Sequence, residues 1–300
     1  GRLRESLERK AKAFDSIVKI GRTHLQDATP IRLGQELSGY ASQIRHGIAH
    51  VEATLPHLRE LAIGGTAVGT GLNAPPRFGA LVAEELARET GIEFREAENH
   101  FEAQAAQDAL VATSGALKTV AVSFMKIAND IRILGMGPRC GIAELKLPAT
   151  QPGSSIMPGK VNPVMCESVV QVCAQVQAND LAVQLGGQWG QLDLNTMMPL
   201  MARNLLESIR ILANVADAFV DRCLDGLEAD EERCRSLIEG SLAMVTSLNP
   251  LIGYDRAAEV AYEAWKTGKT VREVVREKGL VSEEELARAL DPDSMTRPAT

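Results

Sequence analysis

Aromatic side chains are scarce, with 2 Trp, 3 Tyr and 6 Phe among 300 residues. That scarcity leaves little for stacking nucleic-acid bases and disfavours a β architecture, which draws on aromatic and β-branched residues. A basic excess is missing too. Lys plus Arg number 32 against 39 for Asp plus Glu, a net charge of −7, the opposite of a nucleic-acid-binding footprint. The five cysteines (Cys140, Cys166, Cys173, Cys223 and Cys234) are odd in number and form no C-x-x-C pair, and the five histidines lie singly along the chain. No disulfide framework or structural zinc site is therefore expected, and a reducing setting, read as the cytoplasm, is. No run of 18 uncharged apolar residues occurs, so no membrane span or membrane partner is expected on length. Gly1 to Ser6 read as the charged interior of a helix rather than as a signal or transit peptide.

What is present is aliphatic and periodic. Leu37, Ala41, Ile44, Ile48, Val51, Leu55 and Leu58 follow steps of 4-3-4-3-4-3, the seam of a coiled-coil-like helix, with Pro56 expected to kink its end. A second seam runs Leu110, Thr113, Leu117, Val120, Phe124, Ile127, Ile131, Leu134, and a third Leu205, Ile209, Leu212, Ala216, Phe219, Cys223. Further helices are predicted near 3–17 and 162–185, and Pro199 is placed to start or kink the third-seam helix. No βαβ alternation appears, so the relaxed dinucleotide pattern Gly69-x-Gly71-x-x-Ala74 lacks its required context. After Gly226 the helices become short, near 230–242, 255–267, 271–278 and 282–290, punctuated by Pro250, Gly253, Gly279 and Pro292. The expected fold class is all-α: a long-helix bundle over residues 1–226 and a small helical C-terminal domain over 227–300.

Three loops interrupt the bundle, and loops on a rigid scaffold are where function collects. Residues 21–30 carry the lone loop histidine His24, and residues 64–73 are rich in glycine. The third, Gln151 to Pro163, holds two hydroxyls, Lys160 and Asn162. It is no P-loop, since five residues separate Gly153 from Gly159 and Val161 follows the lysine. A mobile segment with one ammonium and one amide, ending where a helix begins, suits a small carboxylate. Taken alone, it reads better as a surface loop with a solvated lysine.

The segment Gly153 to Pro163 resembles the signature of the fumarase/aspartase superfamily. Lys19 to Pro30 and Gly64 to Asn73 are similar to regions of its class II fumarase branch. So are Phe101-Glu102-Ala103, Ser114 to Thr119, Lys126 to Arg132 and Leu248 to Asp255. The likeness spans essentially the whole chain.

The resemblance implies reversible, metal-independent hydration of fumarate to (S)-malate. By it, Ser154 is the base for the C3 proton and His24 the general acid–base for water or hydroxide. Glu167 orients and charges His24. Lys160 and Asn162 bind the substrate carboxylate and the developing enolate, and Thr23 binds substrate or water. It implies sites shared among subunits of a homotetramer. It also implies an N-terminal region with further carboxylate-binding groups that residues 1–300 do not match, so low or no activity is expected of this chain alone. Aspartate ammonia-lyase is the nearest alternative, with Pro163-Val164-Met165, Gly190-Gln191-Leu192 and Ser294 to Pro298 leaning its way. A non-catalytic helical scaffold is the third. Trp189 and Trp265 read as packing anchors, and Cys166 as a small buried residue rather than a nucleophile.

Overall fold

The computed structural model describes residues 1–298. The apolar stripes wind the first part of the chain into α1 (Arg2–Ala13), α2 (Leu33–Glu52), α3 (Phe78–Thr90), α4 (Asp108–Leu134), α5 (Val164–Gln188) and α6 (Met198–Phe219). α4 packs on α5 and α5 on α6, while α1 lies on α2 and α2 on α4. The result is the long-helix bundle that the seams predict. Its core runs from Leu3 and Leu7 through Leu37, Phe124, Ile131 and Val176 to Phe219 and Leu224. Phe124 and Phe219 meet edge to face, with ring centroids 5.4 Å apart.

The second seam is buried as read, with Val120 and Leu110 at its half-buried margin. By length and mean hydropathy α4 could cross a membrane, although Lys118 and Lys126 interrupt it, so it holds no uncharged run of 18 residues. Within the fold its Leu117, Ala121, Phe124, Ile127 and Ile131 are core residues. The third seam is turned by one residue. Ile209 is exposed, and Leu205, Ser208, Leu212, Val215 and Phe219 face inward instead. Ser208 earns that place because its hydroxyl accepts from Asn179 Nδ2 of α5 at 3.1 Å. Pro56 does not kink α2. The helix stops at Glu52, and Pro56 sits in the first turn of a separate four-residue helix, Leu55–Leu58. Pro199 starts α6 in the same way.

The short tail helices are α7 (Glu231–Gly240), α8 (Tyr254–Thr267), α9 (Val271–Lys278) and α10 (Glu283–Ala289). Asp230 caps α7, and capping boxes Thr270/Glu273 and Ser282/Glu285 start α9 and α10. Their apolar faces form a second core around Leu248, Val260, Val274, Val275 and Leu286, which also receives Ile20 from the bundle side. Trp189 and Trp265 are exposed, so neither anchors packing within one chain.

Candidate active site

Residues 21–30 form no open loop. β1 (Val18–Thr23) and β2 (Gln26–Arg32) pair antiparallel with Thr23 opposite Gln26, which leaves His24 and Leu25 as a two-residue turn. Both have positive φ, 55° and 60°, the type I′ pattern that normally selects Asn-Gly. Holding two non-glycine residues there costs on the order of 1–3 kcal/mol each. Thr23, His24 and Leu25 are all exposed at the tip. No local signal marks this hairpin, because its turn lacks glycine and its first strand buries a lysine.

The root of the hairpin is ionic and dry. Lys19 is 1% exposed and Glu144 0%. Lys19 Nζ lies 3.2 Å from Glu144 Oε2 and 3.1 Å from Glu36 Oε2 of α2, and Arg22 donates to Glu144 Oε2 at 3.0 Å. None of these four was singled out from the sequence, since the Arg22–Glu144 pair spans 122 positions.

The Gly153–Pro163 loop leads into α5. The side-chain amide of Asn162 donates to the carbonyl of Gly153 at 2.6 Å, closing the loop on itself. Ser154 Oγ accepts from the backbone N–H groups of Ile156 and Met157 at 3.3 and 3.2 Å. Two backbone donors aimed at a serine oxygen favour negative charge on it. Pro163 precedes α5 without any side-chain cap, so the positive end of that helix faces the loop, with Glu167 in its first turn.

Between this loop and the C-terminal end of α4 lies a cavity of about 750 Å³. Arg132, Lys146, Lys160, Asn162 and Asp230 supply its polar wall. Lys146 pairs with Asp230 at 2.8 Å, whereas Arg132 and Lys160 have no ion pair among the described residues. The cavity is thus suited to an anion. Cys166 and Cys223 are buried together. Their mutual hydrogen bond, then burial, push the Cys166 thiol well above its ordinary range, which makes it a poor nucleophile.

The glycine-rich loop is organised by residues that follow it. Gly64, Gly69 and Gly71 have positive φ, and the Gln104 amide donates to the carbonyls of Thr66 and Ala67 at 3.5 and 3.4 Å. Of the residues expected in the site, Ser154, Lys160 and Asn162 share one loop with Glu167 one turn beyond, while Thr23 and His24 share the hairpin tip. No hydrogen bond or ion pair joins His24 to Glu167 among the described residues. No cluster of three or more metal-ligating side chains occurs among the described residues.

A family model described as lyase matches residues 1–178, and one described as the fumarase C C-terminus matches residues 244–297. The chain is 57% identical over 282 residues to a class II fumarate hydratase of Thermosynechococcus vestitus, covering 94% of this chain and 60% of that protein. It is 56% identical over 295 residues to one of Corynebacterium efficiens, covering 96% and 62%. A crystal structure of class II fumarase from Schistosoma mansoni superposes with a TM-score of 0.96 at 39% identity, over 100% of this chain and 66% of that one. The chain therefore spans about 60% of the length of the curated relatives it matches.

Proposed function

The chain belongs to the lyase family that takes in the class II fumarate hydratases, and from that premise we propose that it serves the reversible hydration of fumarate to (S)-malate. The observation that carries the reading is sequence identity of 56–57% to fumarate hydratases over 94–96% of this chain.

In the dehydration direction, Ser154 takes the C3 proton of malate. Its oxygen, already accepting two backbone N–H groups, tolerates the charge that abstraction requires. Electrons from the C–H bond move onto the adjacent carboxylate, giving a dianion held by Lys160 and Asn162 at the positive end of α5. The dianion collapses to the double bond, and hydroxide departs with a proton from His24. Thr23, beside His24 on the hairpin, holds the departing water. Glu167 keeps His24 oriented and charged. Because His24 and Glu167 are not joined within one chain, we place the working site between copies of a homotetramer, so an isolated copy is expected to have low or no activity. Residues 1–226 and 227–300 are proposed as its two domains and the cytoplasm as its setting, which its five free cysteines support.

Ser154→Ala tests the assignment. A fall in kcat of about a thousandfold or more, with an unchanged melting temperature, is expected for loss of the group that abstracts the proton. An unchanged kcat rules Ser154 out as the base.

A further inference from the structure

The buried ions at the hairpin root need a reason. Lys19, Arg22, Glu36 and Glu144 balance in charge, yet desolvating Lys19 and Glu144 fully and the other two in part is costly, and apolar residues of similar size would pack the same space as well or better. The cluster also departs from full satisfaction: Glu144 Oε1 is buried without a hydrogen-bond partner. Such an arrangement is poor as mere filling, and its placement points to a role.

Glu144 lies where two functional segments meet. Its Oε2 is shared by Lys19 at 3.2 Å and Arg22 at 3.0 Å, both on β1. Lys19 is further fixed by Glu36 at 3.1 Å and by donating to the Ile20 carbonyl at 2.9 Å. The Glu144 backbone is fastened on both sides: its N–H donates to Leu134 at the end of α4, and its carbonyl accepts from Asp230, the cap of α7, both at 2.9 Å. The chain then runs from Glu144 directly into the connection that becomes the Ser154 loop. One carboxylate, anchored to the bundle and to the tail, thus grips the strand that carries Thr23 and His24 and stands at the origin of the segment that carries Ser154. Arg22 is only two residues from His24, and the turn it supports has two positive-φ non-glycine residues. A turn of that kind persists only where its surroundings over-determine it.

We infer that Glu144, acting through Lys19 and Arg22, is a positioning residue that fixes the His24 hairpin on the bundle and tail of its own chain, and so sets where His24 stands in the shared site. This rests on the proposed hydratase function. Glu144 touches no substrate; its effect is on where His24 stands when water is added or lost.

The test compares Glu144→Gln, Glu144→Asp, Asp180→Asn and Ser154→Ala in the full-length assembled protein. Asp180→Asn is the control, because Asp180 is also buried and hydrogen-bonded but sits between α4 and α5, away from the hairpin. Glu144→Gln is expected to lower kcat roughly ten- to a hundredfold with KM within about threefold, the signature of a misplaced catalytic group. It is also expected to speed hydrogen exchange across residues 18–32, and Glu144→Asp to recover part of both. Asp180→Asn is expected to lower the melting temperature while sparing kcat and hairpin exchange. Wild-type kcat in Glu144→Gln, or an equal loss of kcat in Asp180→Asn, overturns the inference. Should Glu144→Gln not fold, Arg22→Gln at the half-buried end of the cluster takes its place, with the same expectation and the same overturning result. An active Ser154→Ala defeats the hydratase reading itself and takes this inference with it, whereas an inactive Ser154→Ala beside an unaffected Glu144→Gln defeats the positioning role alone.

Discussion

The side-chain amide of Asn162 donates to the carbonyl of Gly153 across 2.6 Å, tying the end of the Ser154 loop to its beginning. Gly153 is obligatory in this closure, since a Cβ there would run into the carbonyl of Lys160. Gly153→Ala is expected to open the loop and lower kcat at least roughly tenfold. The loop is largely exposed, so the melting temperature should move little. Kinetics and a thermal melt on the same sample check both halves.

The bundle core makes a purely structural prediction. Phe124 is 1% exposed and packs edge to face on Phe219. Phe124→Ala removes that contact and leaves a cavity, and is expected to destabilise by about 3–5 kcal/mol. Denaturant unfolding measures it directly.

Cysteine chemistry separates surface from core. Cys140 is exposed and the other four are buried. Native alkylation at pH 8 followed by mass spectrometry should give one adduct, at Cys140. Burial also pushes the thiols of Cys173 and Cys234 up to about 12, from an ordinary 9.0. Their folded values are raised, so the stability they confer is complete below about pH 9 and is lost as the pH rises towards 12. Denaturant midpoints measured across that window should fall, and should fall less in Cys234→Ala.

Shared sites predict complementation. If His24 and Ser154 in one site come from different chains, mixing inactive His24→Asn and Ser154→Ala proteins and reassembling them should restore activity that neither parent has. Activity that stays absent after verified mixing counts against sites built between chains.

The helices were legible because a 3.5-residue apolar period survives substitution among aliphatic residues, as the seam from Leu110 to Leu134 shows. The period alone left the rotation of α6 open by one residue: Ile209 fits the pattern as well as Ser208 does, and the hydrogen bond from Asn179 decides between them. The Ser154 loop stood out through its Pro, Gly, Lys and Asn spacing. The His24 hairpin did not, because type I′ turns announce themselves through glycine or asparagine, and this one is held by tertiary contacts. Those contacts join Arg22 and Lys19 to Glu144 across more than a hundred residues, a pairing with no local signal.

Water, rather than ammonia, is the group proposed to add to fumarate. That addition is tested most directly by incubating the purified full-length protein with fumarate, with and without ammonium, and identifying the product by NMR. (S)-Malate in both mixtures, formed at a rate indifferent to ammonium, is the expected result. Aspartate that appears only with ammonium, or no product from a correctly assembled protein, would contradict it.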